Sequence, residues 1–358
     1  MHCFEPIFGK SGKRPGRQPL RGCGLFCMIL CGFVCFSTDG PSQAQRPAEP
    51  APTPIGTLFD VGGYRVHIYR TGSGSPTVMI VGAAFSFDWD LVQDPVSKFA
   101  RVCTFDPSGT AWSDPFLSAA RALDPAAPPR SIPTCADRVD EIRRVIRCTP
   151  VESPLILVGF SVGALWERLY AIRYPEGIAG MVIVDHAFLP DKPGMLAHPA
   201  NALTSSRRKT EPAMVTQSPL VFGFEDDVHF GRLPQRDQAS HIWASAQHPL
   251  RPDEAMASDC FAQLDRVPGK QPFPLGNVRL TVIRTENDSP GYAKMQAKLL
   301  GLSRDSRQVV AWKSSHMVPI DAPEVLVSAI RSMVERARVD SIGQEGSQGV
   351  RPALPAHE

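Results

Sequence analysis

The sequence predicts an α/β fold: a mainly parallel sheet flanked by helices, carrying one helical insertion. Three observations predict it. Short β-branched runs alternate with stretches of helical period along most of the chain. One apolar run, Leu155 to Val158, passes through a glycine-bracketed turn directly into an amphipathic helix. Between Ala187 and Pro274 the alternation stops and polar runs with scattered helical pieces replace it. The 358 residues are 43% apolar and 21% charged, enough for a large packed core.

The N-terminal residues 1–44 read as an export signal. Basic residues up to Arg21 precede an apolar run from Gly22 to Phe36 and then a polar segment, the order of a signal peptide. Ser42-Gln43-Ala44 offers small residues for cleavage after Ala44. The run is shorter than the roughly 20 residues of a spanning helix, and the basic flank favours an external body. The expectation is therefore a periplasmic or secreted protein. An N-terminal anchor left uncleaved, the only membrane association foreseen, is one alternative, and a spurious leader from a mis-started reading frame is another. Leu20-Arg21-Gly22-Cys23 has lipid-anchor residue types but precedes the apolar run instead of ending it.

The net charge of +2 divides unevenly. The leader carries five basic and two acidic residues, so the body is left near −1. A near-neutral body gives no support for nucleic-acid binding. Five of the nine cysteines lie in the leader; Cys103, Cys135, Cys148 and Cys260 remain. Cys135 and Cys148 bracket a predicted helix and stand roughly 20 Å apart along it, too far to pair with each other. Pairing of either with Cys260 stays open. No cysteine or histidine spacing marks a metal site, and no cofactor is expected.

Residues 45–57 form a Pro- and Ala-rich linker. The core is expected over 58–186 and 277–338. Tyr64 to Tyr69 alternates and ends in the turn cluster Thr71-Gly72-Ser73-Gly74, an early antiparallel strand. Buried strands follow at Val78–Val81, Val102–Phe105, Leu155–Val158, Met181–Val184, Leu280–Ile283 and Gln308–Trp312. Helices are predicted over Ala136–Arg147, with Val139, Ile142, Val145 and Ile146 on one face, and over Val162–Tyr174, stopping at Pro175. The last helix opens Asp321-Ala322-Pro323-Glu324, with Asp321 as its cap. Residues 187–276 are the helical cap, with helical pieces around Ala239–Ala246 and Glu254–Leu264. The polar residues 339–358 are expected to be a disordered tail.

The chemistry centres on Gly159-Phe160-Ser161-Val162-Gly163. A sharp turn between strand and helix puts a serine at its tip, and the glycines remove side chains where strand and helix approach. The helix N-terminus favours a developing oxyanion. The plain alternative is a tight turn with a capping serine. Here the chain resembles the α/β-hydrolase fold superfamily, over about Tyr64 to Arg338. Val78 to Ala84 resembles the strand and oxyanion loop, where the family usually has His-Gly. Phe105 to Asp114 resembles another family segment. Thr285-Glu286-Asn287-Asp288 resembles the turn carrying the acid, and Ser315-His316-Met317 the histidine loop, with Thr285 and Ser315 where glycine is usual.

The resemblance implies a serine hydrolase with Ser161 as nucleophile, His316 as base and Asp288 as the acid orienting it. Glu286 and Asp185, the latter ending an earlier strand, are the alternative acids. Oxyanion donors would be the backbone N–H groups of Val162 and Ala83, or Ala84 in its place. The expected reaction is hydrolysis of a carboxylic ester through a Ser161 acyl-enzyme, on a small or medium hydrophobic substrate held under a lid. An amidase or peptidase, an acyltransferase, and a non-catalytic binding protein of the same fold are the rivals. Ser206-Arg207-Arg208-Lys209 reads as a solvated run. Asp185-His186 and Asp226-Asp227-Val228-His229 could hold a metal, but a lone pair of such residues is usually no site. Trp89 could line the pocket or pack in the core.

Overall fold

The runs with no polar interruption become the centre of one sheet. The computed structural model describes residues 50–82, 85–116, 133–149, 151–186, 228–247, 254–266, 273–286 and 290–348. The leader falls outside these. So do Ser206, Lys209, Asp226, Asp227, residues 349–358 and most of the first half of the insertion. One unit spans Pro52–Glu358 and holds every element below.

Eight strands form the sheet: β1 (Thr57–Asp60), β2 (Arg65–Thr71), β3 (Thr77–Val81), β4 (Arg101–Phe105), β5 (Leu155–Phe160), β6 (Ile178–Val184), β7 (Arg279–Thr285) and β8 (Ser306–Ala311), in the order β1-β2-β4-β3-β5-β6-β7-β8. β1 and β2 are antiparallel to their neighbours, and β3 to β8 run parallel. Every residue of β3 and β5 is buried, as continuous apolar strands covered on both faces must be. β1 lies where the linker was expected to give way to the core, its four residues too short and too exposed to carry a buried-strand signature.

Helices cover the sheet: α1 (Asp90–Ser97), α2 (Cys135–Cys148), α3 (Gly163–Arg173), α4 (Gln235–Gln247), α5 (Glu254–Asp265), α6 (Pro290–Lys298), α7 (Val318–Asp321) and α8 (Pro323–Gln348). Thr134 caps α2 through a capping box with Asp137. The last predicted helix begins differently from expectation. The Asp321 carboxylate accepts from the Ser315 backbone N–H (2.6 Å) and contacts His229 Nδ1 (2.8 Å), so it ties down the histidine loop instead of capping α8. α8 also runs ten residues past Arg338, through half of the expected disordered tail. Asp340 pairs with Arg279, anchoring the start of that extra length.

Two helices of the insertion dock on different parts of the core. α4 reaches the turn after β3, where His241 Nδ1 meets Asp88 Oδ1 at 2.7 Å, both buried. α5 packs beside α2 and α3, fixed by the Cys135–Cys260 disulfide across a Cα separation of 5.1 Å. That settles the pairing the spacing left open. Trp89 is a core residue, packed edge-on to Phe160 and against Gly82.

Candidate active site

The sheet register brings two of the candidate residues together. Phe160 of β5 pairs with Val184 of β6, so Ser161 and Asp185 are the next residues out at the carboxyl ends of neighbouring strands. The Ser161 N–H donates to Val184 O (3.0 Å), and the Asp185 N–H to Ile283 O (2.8 Å). Both residues turn away from the sheet with positive φ, 55° at Ser161 and 38° at Asp185. Non-glycine residues hold such angles only where the surroundings enforce them.

The elbow glycines answer to close approach. A Cβ at Gly163 would lie 2.3 Å from Val81 O, and one at Gly159 would lie 2.3 Å from the Glu167 Cδ atom. Any side chain at Gly163 would drive α3 off β3 and move Ser161 with it. Val162 follows the serine at the mouth of α3 and is buried.

His316 reaches the site from the loop between β8 and α7. Its Nε2 lies 3.0 Å from Ser161 Oγ and its Nδ1 lies 2.6 Å from Asp185 Oδ2. The Phe160 ring lies against the imidazole, tilted by 31° at 4.8 Å between centroids. Ser161, His316 and Asp185 are all buried. Burial drives the His316 imidazolium below its ordinary pKa, with the Asp321 charge opposing. A neutral imidazole hydrogen-bonded through Nδ1–H to a carboxylate presents Nε2 as a proton acceptor to the serine.

Of the three acids offered by the sequence, the structure places one of the two alternatives, Asp185, at His316. Asp288 lies outside the described residues, and the carboxylate seated on Nδ1 is Asp185. Glu286 is turned elsewhere, accepting the Lys313 backbone N–H at 2.9 Å. Ala83 and Ala84 lie outside the described residues, so of the expected oxyanion donors Val162 alone is placed. Sequence reading also missed Gln296 on α6, whose amide reaches Asp185 Oδ1 at 3.2 Å. A lone glutamine in a weakly amphipathic helix carries no sequence signal of such a contact.

Two other clusters share the residue types. Ser86, His67 and Asp106 are buried together, but Ser86 Oγ donates to Asp106 (3.1 Å), and His67 Nε2 accepts the Gly56 N–H (2.9 Å). The ring nitrogen a nucleophile would need is therefore occupied. His186, beside Asp185, faces the Arg168 guanidinium through Nε2 at 2.7 Å, a cation where a metal would have to sit. Among the described residues no three His, Cys, Asp or Glu side chains group as metal ligands. No helix among them is long and apolar enough to cross a membrane.

No family model matches the chain. A stretch of 138 residues is 28% identical to a probable transporter of Hormonema carpetanum; it covers 36% of this chain but only 18% of that protein. Solved structures align over far more. A putative lipase from Acinetobacter baumannii is 15% identical, with a TM-score of 0.56 over 79% of this chain and 92% of its own. A thermophilic esterase from Thermogutta terrifontis is 16% identical, with a TM-score of 0.53 over 78% and 98%. The enol-lactonase from Burkholderia xenovorans is 14% identical, with a TM-score of 0.52 over 78% and 100%. With its eight-stranded, mostly parallel sheet flanked by helices, the chain has the α/β-hydrolase fold.

Proposed function

We propose that the chain is a serine hydrolase cleaving a carboxylic ester of small or medium size. The observation that carries this reading is the buried relay of Ser161 Oγ to His316 Nε2 and His316 Nδ1 to Asp185. Ser161 attacks the ester carbonyl while His316 takes its proton, and Asp185 fixes the tautomer and stabilises the imidazolium. The Val162 N–H and a donor from Ala83 or Ala84 receive the oxyanion. His316 then protonates the departing alkoxide, leaving acyl-Ser161. Water, activated by the same imidazole, releases the acid and restores the serine. Ser161 is buried, and we assign the shaping of the substrate pocket to the insertion between β6 and β7.

We place the mature protein outside the cytoplasm. The leader supports this, and so does Cys135–Cys260, since disulfides persist in oxidising compartments. The test is hydrolysis of p-nitrophenyl esters of increasing acyl length by the wild type, Ser161→Ala and His316→Ala. Turnover lost in both variants supports the triad, and the length profile sizes the pocket. A wild type that neither turns over nor forms a phosphonate adduct at Ser161 overturns the reading.

A further inference from the structure

Asp185 has two carboxylate oxygens, and the relay to His316 uses one. The other, Oδ1, lies 3.2 Å from Gln296 Nε2. The same nitrogen lies 3.3 Å from the His186 carbonyl and 3.1 Å from Tyr292 Oη, and Tyr292 in turn receives the Thr285 hydroxyl at 3.3 Å. The Gln296 side chain is fully buried. Asp185 Oδ1 and the His186 carbonyl can only accept, so the amide must present its nitrogen there and its oxygen elsewhere. Gln296 Oε1 has no hydrogen-bond partner among the described residues, as expected if the nitrogen is kept on the acid. Both Gln296 and Tyr292 belong to α6, which follows β7.

We propose that Gln296 is a positioning residue for the reaction: it holds Asp185 by Oδ1 so that Oδ2 meets His316. This rests on the serine-hydrolase reading for its kinetic consequence, but not for its structural one. Asp185 follows β6 with a strained backbone, φ 38°, and a donor from α6 on Oδ1 helps fix the plane of its carboxylate against His316. Among the described residues, the titratable groups around the amide are Asp185 and His186 from the β6 turn and Tyr292 from its own helix, with His316 beyond Asp185.

The test compares the full-length wild type with Gln296→Leu and Gln296→Glu. In Gln296→Leu the donor is gone. Loss of one hydrogen bond to a buried charge corresponds to a roughly 10- to 100-fold fall in kcat, with KM within about twofold, and a matching fall in the rate of Ser161 labelling by an alkyl fluorophosphonate. The downfield proton resonance of His316 Nδ1 is expected to shift and to exchange faster with water. In Gln296→Glu a protonated carboxyl can still donate to Asp185, whereas an ionised one repels it. Its activity therefore falls as pH rises across a range where the wild type is flat, a readout that folding defects do not mimic. A folded Gln296→Leu with unchanged labelling, kcat and Nδ1 resonance overturns the proposal, as does a Gln296→Glu profile parallel to the wild type. If the wild type itself fails to label at Ser161, the hydrolase reading falls. The Nδ1 resonance of the variants still decides whether Gln296 orients Asp185.

Discussion

Asp185→Asn is the substitution that bears most directly on the relay, because the structure dictates how the new amide must sit. Gln296 Nε2 donates toward Oδ1 of residue 185, so the amide oxygen is drawn to that side. The amide nitrogen is left facing His316 Nδ1, where Oδ2 now stands at 2.6 Å. Two donors cannot share that contact, so the imidazole must move its proton to Nε2 and can no longer accept from Ser161. The wrong tautomer in such a triad lowers kcat by about 10⁴, equivalent to ~5 kcal/mol of transition-state stabilisation at about 1.4 kcal/mol per decade. The assay is kcat on the best p-nitrophenyl ester, with a thermal melt to confirm folding and Asp288→Asn beside it. The expected outcome is collapse in the first variant and activity within about threefold in the second. Near-wild-type turnover in Asp185→Asn together with collapse in Asp288→Asn would refute the assignment and return the acid to the turn after β7.

Three further outcomes follow. The base must be neutral to act, and burial lowers its pKa; activity is present above that value and lost below it, so the acid limb of kcat/KM is expected below pH 6.5, and a limb above 6.5 contradicts the burial argument. Glu167 is fully buried with neither carboxylate oxygen partnered among the described residues, and desolvation raises its pKa well above the ordinary value. Its unfolded form ionises near 4.5 while the native form keeps its proton, so native stability declines as pH rises from 4.5. Glu167→Met is expected to stabilise the fold by roughly 1–3 kcal/mol, more at neutral pH than at pH 4, read by chemical denaturation. The Cys135–Cys260 link closes a 125-residue separation, and removing it with Cys135→Ala/Cys260→Ala is expected to cost about 2–5 kcal/mol; an unchanged denaturation midpoint would show that the link adds nothing.

Much of this architecture was legible because its physics is local. Leu155–Val158 and Val78–Val81 are apolar without interruption, which only a strand covered on both faces tolerates, and both are central strands. Ser161 was legible because a strained turn between such a strand and a helix needs glycine on either side, and the backbone of β3 does press against Gly163. α1 escaped because Pro95 interrupts it and its apolar face is short. The disulfide was legible only by elimination of one partner, since pairing α2 with α5 depends on where an insertion folds back.

The acid illustrates where local reading stops. Asp185 and Asp288 each follow a strand, and nothing in either segment says which carboxylate meets His316. Register is what brings Asp185 to the site: Phe160 opposite Val184 puts it one residue beyond its strand at the height of Ser161, and a strand buried on both faces, as β5 is, has no alternation to mark its register. The segment after β7 still serves the site in this geometry. It sends α6, whose Gln296 donates to Asp185 while Tyr292 supports the amide. A carboxylate delivered from β6 and a donor delivered from α6 divide between two connections a task that one loop could perform alone. That division is why both Asp185→Asn and Gln296→Leu are expected to impair the same proton transfer from positions more than a hundred residues apart in the chain, and why their effects should be far from additive when combined.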